Sequence, residues 1–243
     1  MRALSAGELL EVWEAGFTQA LMERALALLV AACPDDSWDH LAALSIGQRD
    51  ARLLTLREDL WGPRMDAVVV CPGCRERLEL TLDTREMLAN SQRAQQGETT
   101  LNIADFKMTF RSPTSLDLIA ISGYVANGGT TPLLDRCLLS VQQGGAPVDS
   151  DKLPPEVVES VIKSLAEADP LADIQLSLTC PSCEHRWRAL FDIVSFLWTE
   201  IEVWAWRILH DVHTLASAYG WRERDILTLS PTRRQFYLDM VGA

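Results

Sequence analysis

Leucine and alanine residues recur at the spacing of an amphipathic helix in the N-terminal quarter of the chain. We predict helices over residues 17–61, because apolar side chains at i, i+4, i+7 and i+8 lie on one face of a helix. The Cys33-Pro34 step interrupts this pattern, and Gly62-Pro63 ends it. The residues that show the spacing best are Leu21, Ala25, Leu28 and Leu29.

The apolar period changes to two in residues 66–83 and again in residues 173–192. Such alternation predicts half-buried β-strands. The two stretches also repeat each other, because each has a Cys-Pro-small-Cys turn followed by alternating apolar residues and an aspartate at the same offset. We therefore predict two equivalent hairpins in one small antiparallel sheet. The residues expected on its buried side are Leu78, Leu80, Leu82, Trp187 and Phe191.

Turn residues and further changes of period predict the remaining elements. Between the repeats we predict a loop over 90–100, a hairpin over 101–111 turning at Ala104-Asp105, helices over 113–124, 131–141 and 154–168, and a loop over 142–151. After the second repeat we predict a long helix over 192–219, ended by Gly220, and two short helices.

Four of the six cysteines form the two Cys-Pro-x-Cys turns. Each turn can form a rubredoxin-like knuckle that supplies two thiolates, and structural zinc takes four ligands in a tetrahedron. Two knuckles on paired hairpins therefore predict one closed zinc site. Because 105 residues separate the two pairs, this would be a zinc ribbon split by a long insertion. The predicted ligands are Cys71, Cys74, Cys180 and Cys183.

Other interpretations of the cysteines stay open. The two turns could hold reduced thiols without a metal, and iron suits the same four thiolates as zinc does. A redox centre is disfavoured because it needs Cys-x-x-Cys at a helix N-terminus, whereas these pairs lie in hairpin turns. A site closed by four thiolates has no open position and cannot activate water.

These elements predict an α+β fold, mostly helical, with a small antiparallel sheet that forms the split zinc ribbon. We expect an N-terminal helical region over 1–65. The split ribbon with its inserted helices and hairpin is expected over 66–192, and the long helix with a helical tail over 193–243.

The chain is acidic, with 34 Asp and Glu against 22 Lys and Arg, which gives a formal charge of −12. This charge makes nucleic acid an unlikely partner, because phosphates bind basic surfaces. The arginines that flank the cysteine turns favour nucleic acid locally; they are Arg75, Arg77, Arg186 and Arg188.

No apolar stretch approaches the roughly 20 residues of a membrane span. Glutamates at 8, 11 and 14 also interrupt the place where a signal peptide would be apolar. We therefore expect a cytoplasmic protein without membrane insertion. The chain has no glycine-rich phosphate loop, Gly-x-Ser-x-Gly or His-Glu-x-x-His motif. We accordingly expect no enzyme, no catalytic residues and no small-molecule substrate.

The long helix carries apolar residues outside its broad apolar face. Phe196, Val203 and Trp206 point towards the opposite side, where either the C-terminal helices cover them or a partner docks. The segment 220–243 combines aromatic residues with a rim of arginines. We expect partner binding by both surfaces, through Phe196, Val203, Trp206, Trp221, Arg233, Arg234 and Tyr237.

Three stretches of the chain resemble a known family. They are RALALL at 24–29 with AALSIGQRD at 42–50, LLTLREDLWG at 53–62, and residues 219–241. They are similar to the T-even-phage baseplate hub assembly chaperones, whose relatives occur in prophages and in gene clusters for contractile injection systems. The cysteine turns are not part of this resemblance, and residues 84–172 have no counterpart in it.

The resemblance implies a non-enzymatic protein that helps to build, or forms part of, the baseplate of a contractile phage tail or injection system. Its partners would be baseplate or hub subunits, and its cofactor would be the structural zinc predicted from the cysteines. The alternative that the residues leave open is a zinc-ribbon protein that binds nucleic acid or has a regulatory role.

Overall fold

The structure is a computed structural model that describes residues 1–91, 97–122 and 132–242. The fold is α+β, with more helix than strand and small antiparallel sheets, as the sequence predicts. The chain divides into two compact units. The helical unit comprises residues 1–37 and 193–243, and the cysteine unit comprises residues 38–192.

The described helices are α1 (Ala6–Ala15), α2 (Leu21–Ala32), α3 (Trp38–Ala42), α4 (Ile46–Trp61), α5 (Thr84–Ser91), α6 (Ser115–Ile121), α7 (Pro132–Cys137), α8 (Pro155–Ala168), α9 (Ile193–Tyr219), α10 (Glu223–Leu227) and α11 (Pro231–Val241). The described strands are β1 (Arg64–Val70), β2 (Arg77–Asp83), β3 (Glu98–Ile103), β4 (Phe106–Arg111), β5 (Leu138–Gln143), β6 (Ala146–Pro147), β7 (Ile174–Thr179) and β8 (Arg186–Phe191).

The helical unit is built around α9, which α1, α2, α10 and α11 contact. The face of α9 that carries Leu197, Ile201 and Ile208 is buried, as its apolar spacing predicts. Helix α1 lies before the first helix that the sequence predicted. It begins at a capping box in which Ser5 and Glu8 satisfy each other's backbone N–H groups. Within the described residues, no helix is long and apolar enough to cross a membrane.

The cysteine unit contains two equivalent hairpins. Strand β1 pairs with β2 and β7 pairs with β8, both antiparallel. The expectation that they share one sheet is wrong, because each hairpin is a separate two-stranded sheet. The physical reason is that the hairpins meet at their cysteine turns, whereas strands of one sheet must lie side by side at about 4.8 Å.

A third sheet, in the order β3-β4-β5-β6, lies in the insertion between the two hairpins. The predicted hairpin is β3–β4, and Ala104 in its turn has a left-handed φ of 51°. The expectation of helix over 131–141 is wrong after Cys137, because β5 begins at Leu138 and pairs with β4. Buried Val141 opposite Met108 stabilises this pairing, so tertiary packing overrides the local pattern.

Two predicted loops also contain strand. The loop expected over 142–151 includes the end of β5, the short β6 and one turn of 3₁₀ helix. The loop expected over 90–100 overlaps β3 from residue 98, and its residues 92–96 lie outside the described chain. The helix predicted over 113–124 is α6, and its end beyond residue 122 also lies outside the described residues.

Candidate metal centre

The two cysteine turns have the same backbone geometry. In the first turn, the N–H of Cys71 donates to the carbonyl of Glu76 at 2.8 Å, and the N–H of Arg75 donates to the carbonyl of Cys71 at 2.9 Å. The second turn makes the same two bonds, each at 2.9 Å, through Cys180, His185 and Glu184. Arg75 and Glu184 both adopt a left-handed φ, at 67° and 56°. The sequence repeat is therefore also a structural repeat.

The four predicted ligands converge. The Sγ atoms of Cys71, Cys74, Cys180 and Cys183 all lie within 4.8 Å of one another. The Sγ of Cys71 is 3.7 Å from that of Cys183, and the Sγ of Cys74 is 3.6 Å from that of Cys180. A zinc ion with four Zn–S bonds of about 2.3 Å requires sulfurs about 3.8 Å apart. The cluster can therefore hold a metal ion with little rearrangement.

The sulfurs are not joined to one another. All six cysteines are free thiols, and separations near 3.7 Å are far beyond a disulfide bond of about 2.05 Å. The first cysteine of each turn is buried, and the second is exposed. The cluster is therefore shielded from solvent at the first cysteine of each turn and accessible to solvent at the second.

Backbone N–H groups and burial act on the pKa values of these thiols in opposite directions. Burial alone would raise the pKa of Cys180, but the N–H groups of Ser182 and Cys183 donate to its sulfur, and the pKa falls to about 7. The N–H of Glu76 likewise favours the thiolate of Cys74, yet hydrogen bonding with the other sulfurs and desolvation raise its pKa to about 12. Four thiolates this close require a cation to be stable together.

The two turns pack closely at Gly73. A Cβ added there would lie 3.2 Å from the Cβ of His185 and 3.6 Å from the Sγ of Cys183, so glycine fits where a larger residue would crowd the opposite turn. The ring of His185 stacks on Trp187 with centroids 6.0 Å apart. In the described chain, the cluster that could hold a metal consists of the four cysteines and does not include this histidine.

Each hairpin has one half-buried face and one exposed face. The residues expected on the buried side are all half-buried; they are Leu78, Leu80, Leu82, Trp187 and Phe191. The arginines that flank the turns are all exposed; they are Arg75, Arg77, Arg186 and Arg188. The cysteine cluster therefore lies beside four exposed arginines.

The predicted partner-binding residues of α9 differ in exposure. Val203 and Trp206 are 57% and 66% exposed, so the C-terminal helices leave them accessible in the helical unit. Phe196 is half-buried. The sequence did not single out Phe17, which is also strongly exposed in this unit. An isolated aromatic residue in a turn gives no periodic signal by which to find it.

Most of the aromatic residues in the C-terminal segment pack on α9. A cluster forms around buried Val212, Leu215 and Ile226, and Trp221 and Tyr237 pack against it. Arg234 is only 9% exposed, and its Nε donates to Asp211 at 3.1 Å. Of the residues predicted to bind partners in this segment, Arg233 is exposed; Phe236 and Met240, for which no role was predicted, are exposed as well.

The fold and the cysteine cluster define a helix-rich α+β protein with a four-thiol centre that can hold a metal. The family model described as T4 bacteriophage base plate protein matches residues 6–198, which is more than three quarters of the chain. The chain therefore belongs to this family, and the resemblance to T-even-phage baseplate proteins is confirmed. The match also spans residues 84–172. No curated protein and no solved structure matches the chain.

Proposed function

We propose that this protein is a non-enzymatic assembly or structural component of the baseplate of a contractile phage tail or a related injection system. The observation that carries the proposal is the family match over residues 6–198. The proposed partners are baseplate or hub subunits. We place the protein in the cytoplasm during assembly, from where it can be incorporated into the particle.

We further propose that the four cysteines bind one structural zinc ion and that the two hairpins form a split zinc ribbon. The sulfur separations of 3.6 and 3.7 Å support this, because they approach the edge of a Zn–S₄ tetrahedron. Four cysteine ligands would fill the coordination shell, so the ion would hold the hairpins together and leave no position for a substrate. This chemistry supports a structural role and not a catalytic one.

The proposed interface to other subunits comprises the seven residues selected from the sequence. We assign them two roles, partner contact and support of the surface, according to their exposure. The exposed residues Val203, Trp206 and Arg233 make the contacts, since exposed aromatic residues and arginines dominate interfaces. The better-packed members hold that surface in place; they are Phe196, Trp221, Arg234 and Tyr237.

Co-expression with the gene cluster of the particle tests the proposed function. We expect that omitting the protein prevents assembly of complete baseplates, which sedimentation and electron microscopy would detect. Trp206→Ala should reduce incorporation or assembly, whereas Leu190→Ala removes an exposed apolar side chain from the cysteine unit and serves as the matched control. Normal baseplates in the absence of the protein would refute the assembly role, and failure of the protein to co-sediment with them would refute the structural role.

The second candidate function is that of a zinc-ribbon protein that binds nucleic acid or has a regulatory role. Exposed Arg75, Arg77, Arg186 and Arg188 beside the cysteine cluster favour this candidate. A gel-shift titration with DNA and RNA at increasing salt tests it, because binding through phosphates weakens steeply as salt rises. Salt-sensitive binding that Arg188→Glu abolishes would support this candidate, and no binding at low salt would exclude it.

A further inference from the structure

The two cysteine turns share one backbone geometry but differ in two side chains beside the cluster. The small residue between the cysteines is Gly73 in the first turn and Ser182 in the second. The second residue after the last cysteine is Glu76 in the first turn and His185 in the second. Because the backbone hydrogen bonds of the turns match, these side chains can give the two turns different roles at the cluster.

The side chain of His185 packs on the opposite turn. A Cβ added to Gly73 would lie 3.2 Å from both the Cβ and the Cγ of His185, so the histidine lies where a side chain at position 73 would extend. The imidazole also stacks on Trp187, with ring centroids 6.0 Å apart and ring planes 23° apart. His185 therefore contacts its own hairpin through its ring and the first turn through its Cβ and Cγ.

The backbone of His185 is bonded to both cysteines of its own turn. Its carbonyl accepts from the N–H of Cys180 at 2.9 Å, and its N–H donates to the sulfur of Cys183. The Cβ and Cγ atoms are close to the backbone and cannot move far without it. A shift of His185 relative to Gly73 would therefore move both ligands of the second turn relative to those of the first.

We propose that His185, by packing on Gly73, is the positioning residue that holds the two cysteine turns at the spacing of a bound zinc ion. This role rests on the proposed zinc site and names the contact that sets its affinity. Sulfurs that already lie within 4.8 Å of one another need little rearrangement to bind the ion, so supporting contacts between the turns favour binding. Replacing residues that support metal ligands commonly lowers metal affinity by about 10–100-fold.

The second turn has no equivalent of this contact. Ser182 carries a Cβ at the position of Gly73, so no side chain of the first turn can occupy that space. Glu76 stands at the position of His185, and its backbone makes the same hydrogen bond to the first cysteine of its turn. Glu76 and Ser182 therefore provide matched control positions for His185 and Gly73.

Competition between the purified full-length protein and a chromophoric zinc chelator tests the proposal through the affinity for zinc. We expect His185→Ala to bind zinc about 10–100-fold more weakly than the native protein, and Glu76→Ala to bind it like the native protein. His185→Phe should keep most of the affinity. A phenyl ring can stack on Trp187 and contact Gly73, but it cannot ligate zinc.

Gly73→Ala perturbs the same contact from the first turn. Its methyl group would lie 3.2 Å from His185 and 3.6 Å from the Sγ of Cys183, so we expect zinc affinity to fall by about tenfold or more. Gly73 does not adopt a left-handed φ, so the alanine adds no backbone strain of that kind. Ser182→Ala should bind zinc like the native protein. Combining Gly73→Ala with His185→Ala should cost less than the product of the single effects, because both act on one contact.

Melting curves of the metal-free proteins separate positioning from general destabilisation. Gly73 and His185 are exposed, so the metal-free variants should melt close to the metal-free native protein. Unchanged zinc affinity in His185→Ala, or an equal loss in Glu76→Ala, would overturn the proposal. So would a loss in His185→Phe as large as in His185→Ala, which would indicate that the imidazole acts through its nitrogen atoms.

Failure of the positioning role is distinguishable from failure of the proposed function. Native protein that binds no zinc would overturn both the metal site and the role of His185. Normal zinc binding by the native protein, with unchanged affinity in His185→Ala and Gly73→Ala, would overturn the positioning role alone. The co-expression experiment measures the role in baseplates separately from either result.

Discussion

Replacing one sulfur ligand tests the proposed metal site directly, and Cys183→Ser is the most suitable variant. Cys183 is exposed, so the loss of its sulfur removes little packing in the protein core. Three thiolates and one hydroxyl remain after the change. We expect the metal content to fall from about one zinc per chain in the native protein to well below that value, since structural zinc requires four good ligands.

The expected loss of stability follows from the separation of the ligands along the chain. A metal that joins the two turns closes a loop of 105 residues between Cys74 and Cys180. The chain-entropy relation for a covalent cross-link over a loop of that size gives about 5 kcal/mol. For a unit of this length, each kcal/mol corresponds to about 2–4 °C, so the melting temperature of the cysteine unit should fall by about 10–20 °C.

Differential scanning calorimetry with and without a zinc chelator measures this loss, together with elemental analysis of the purified protein. The native protein should show the full shift when zinc is removed, and Cys183→Ser should show little further shift. Cys137→Ser is the matched control, because Cys137 is buried in the same unit but lies outside the cluster. It should be less stable than the native protein while keeping its zinc and its response to chelator.

Two results would refute the reasoning. Native protein that contains neither zinc nor iron, and melts at the same temperature with and without chelator, would leave the cluster as four ordinary thiols. Full zinc content in Cys183→Ser would place the ion elsewhere in the chain.

Three further substitutions test other parts of the structure through the free energy of unfolding in chemical denaturation. Gly16→Ala should cost about 1–3 kcal/mol through overpacking against the indole of Trp198, whereas Gly7→Ala, which has open space around it, should be neutral or stabilising. Asp117→Ala should cost about 2–3 kcal/mol because it removes a buried carboxylate that accepts hydrogen bonds from Arg111, Arg136 and Thr114, whereas exposed Asp149→Ala should cost less than about 1 kcal/mol. Trp221→Ala should cost about 3 kcal/mol, since its ring packs against two tyrosines. Equal costs for Gly16→Ala and Gly7→Ala would contradict the close packing at Gly16, and equal costs for Asp117→Ala and Asp149→Ala would contradict the buried ion pairs of Asp117. An unchanged free energy of unfolding in Trp221→Ala would contradict the packing of its ring.

The Asp117 carboxyl also allows a test of how the free energy of unfolding depends on pH. Burial would raise the pKa of this carboxyl, but hydrogen bonds from Arg111 and from Thr114 outweigh it and hold the pKa well below its usual value. Because the folded pKa is depressed, the stabilisation is complete at neutral pH and is lost as the pH falls below the ordinary range of an aspartate. Asp117→Ala should remove this component of the acid sensitivity, which denaturation at several acidic pH values would measure.

The elements that the sequence predicts well are those fixed by local rules. The repeated cysteine turns are an example, because the same residues at the same offsets adopt the same hydrogen bonds and left-handed φ angles. Helix α9 is another, since its apolar spacing and Gly220 define its face and its end. A local rule needs no knowledge of which distant segment packs against the element.

The elements that the sequence misses depend on distant partners. Residues 138–141 fit a helical pattern. They form a strand because β5 pairs with β4, which lies earlier in the same insertion. The exposure of side chains along α9 also depends on distant segments that the local pattern does not identify. Trp198 and Trp206 are both tryptophans of one helix, yet Gly16 and Arg24 cover the first, and the second remains exposed. A helical wheel assigns a face and does not say which neighbour covers it.

The proposed metal also explains how two small hairpins can persist within the cysteine unit. An isolated two-stranded hairpin is marginally stable in water, and three or more strands are normally needed for independent stability. Here each hairpin is its own two-stranded sheet, and its inner residues, such as Leu80 and Trp187, are only half-buried. The insertion between them has its own apolar core around Phe110 and Val161. Hydrophobic burial at the hairpin tips is therefore slight, and the proposed metal site is the interaction best able to hold the two tips together.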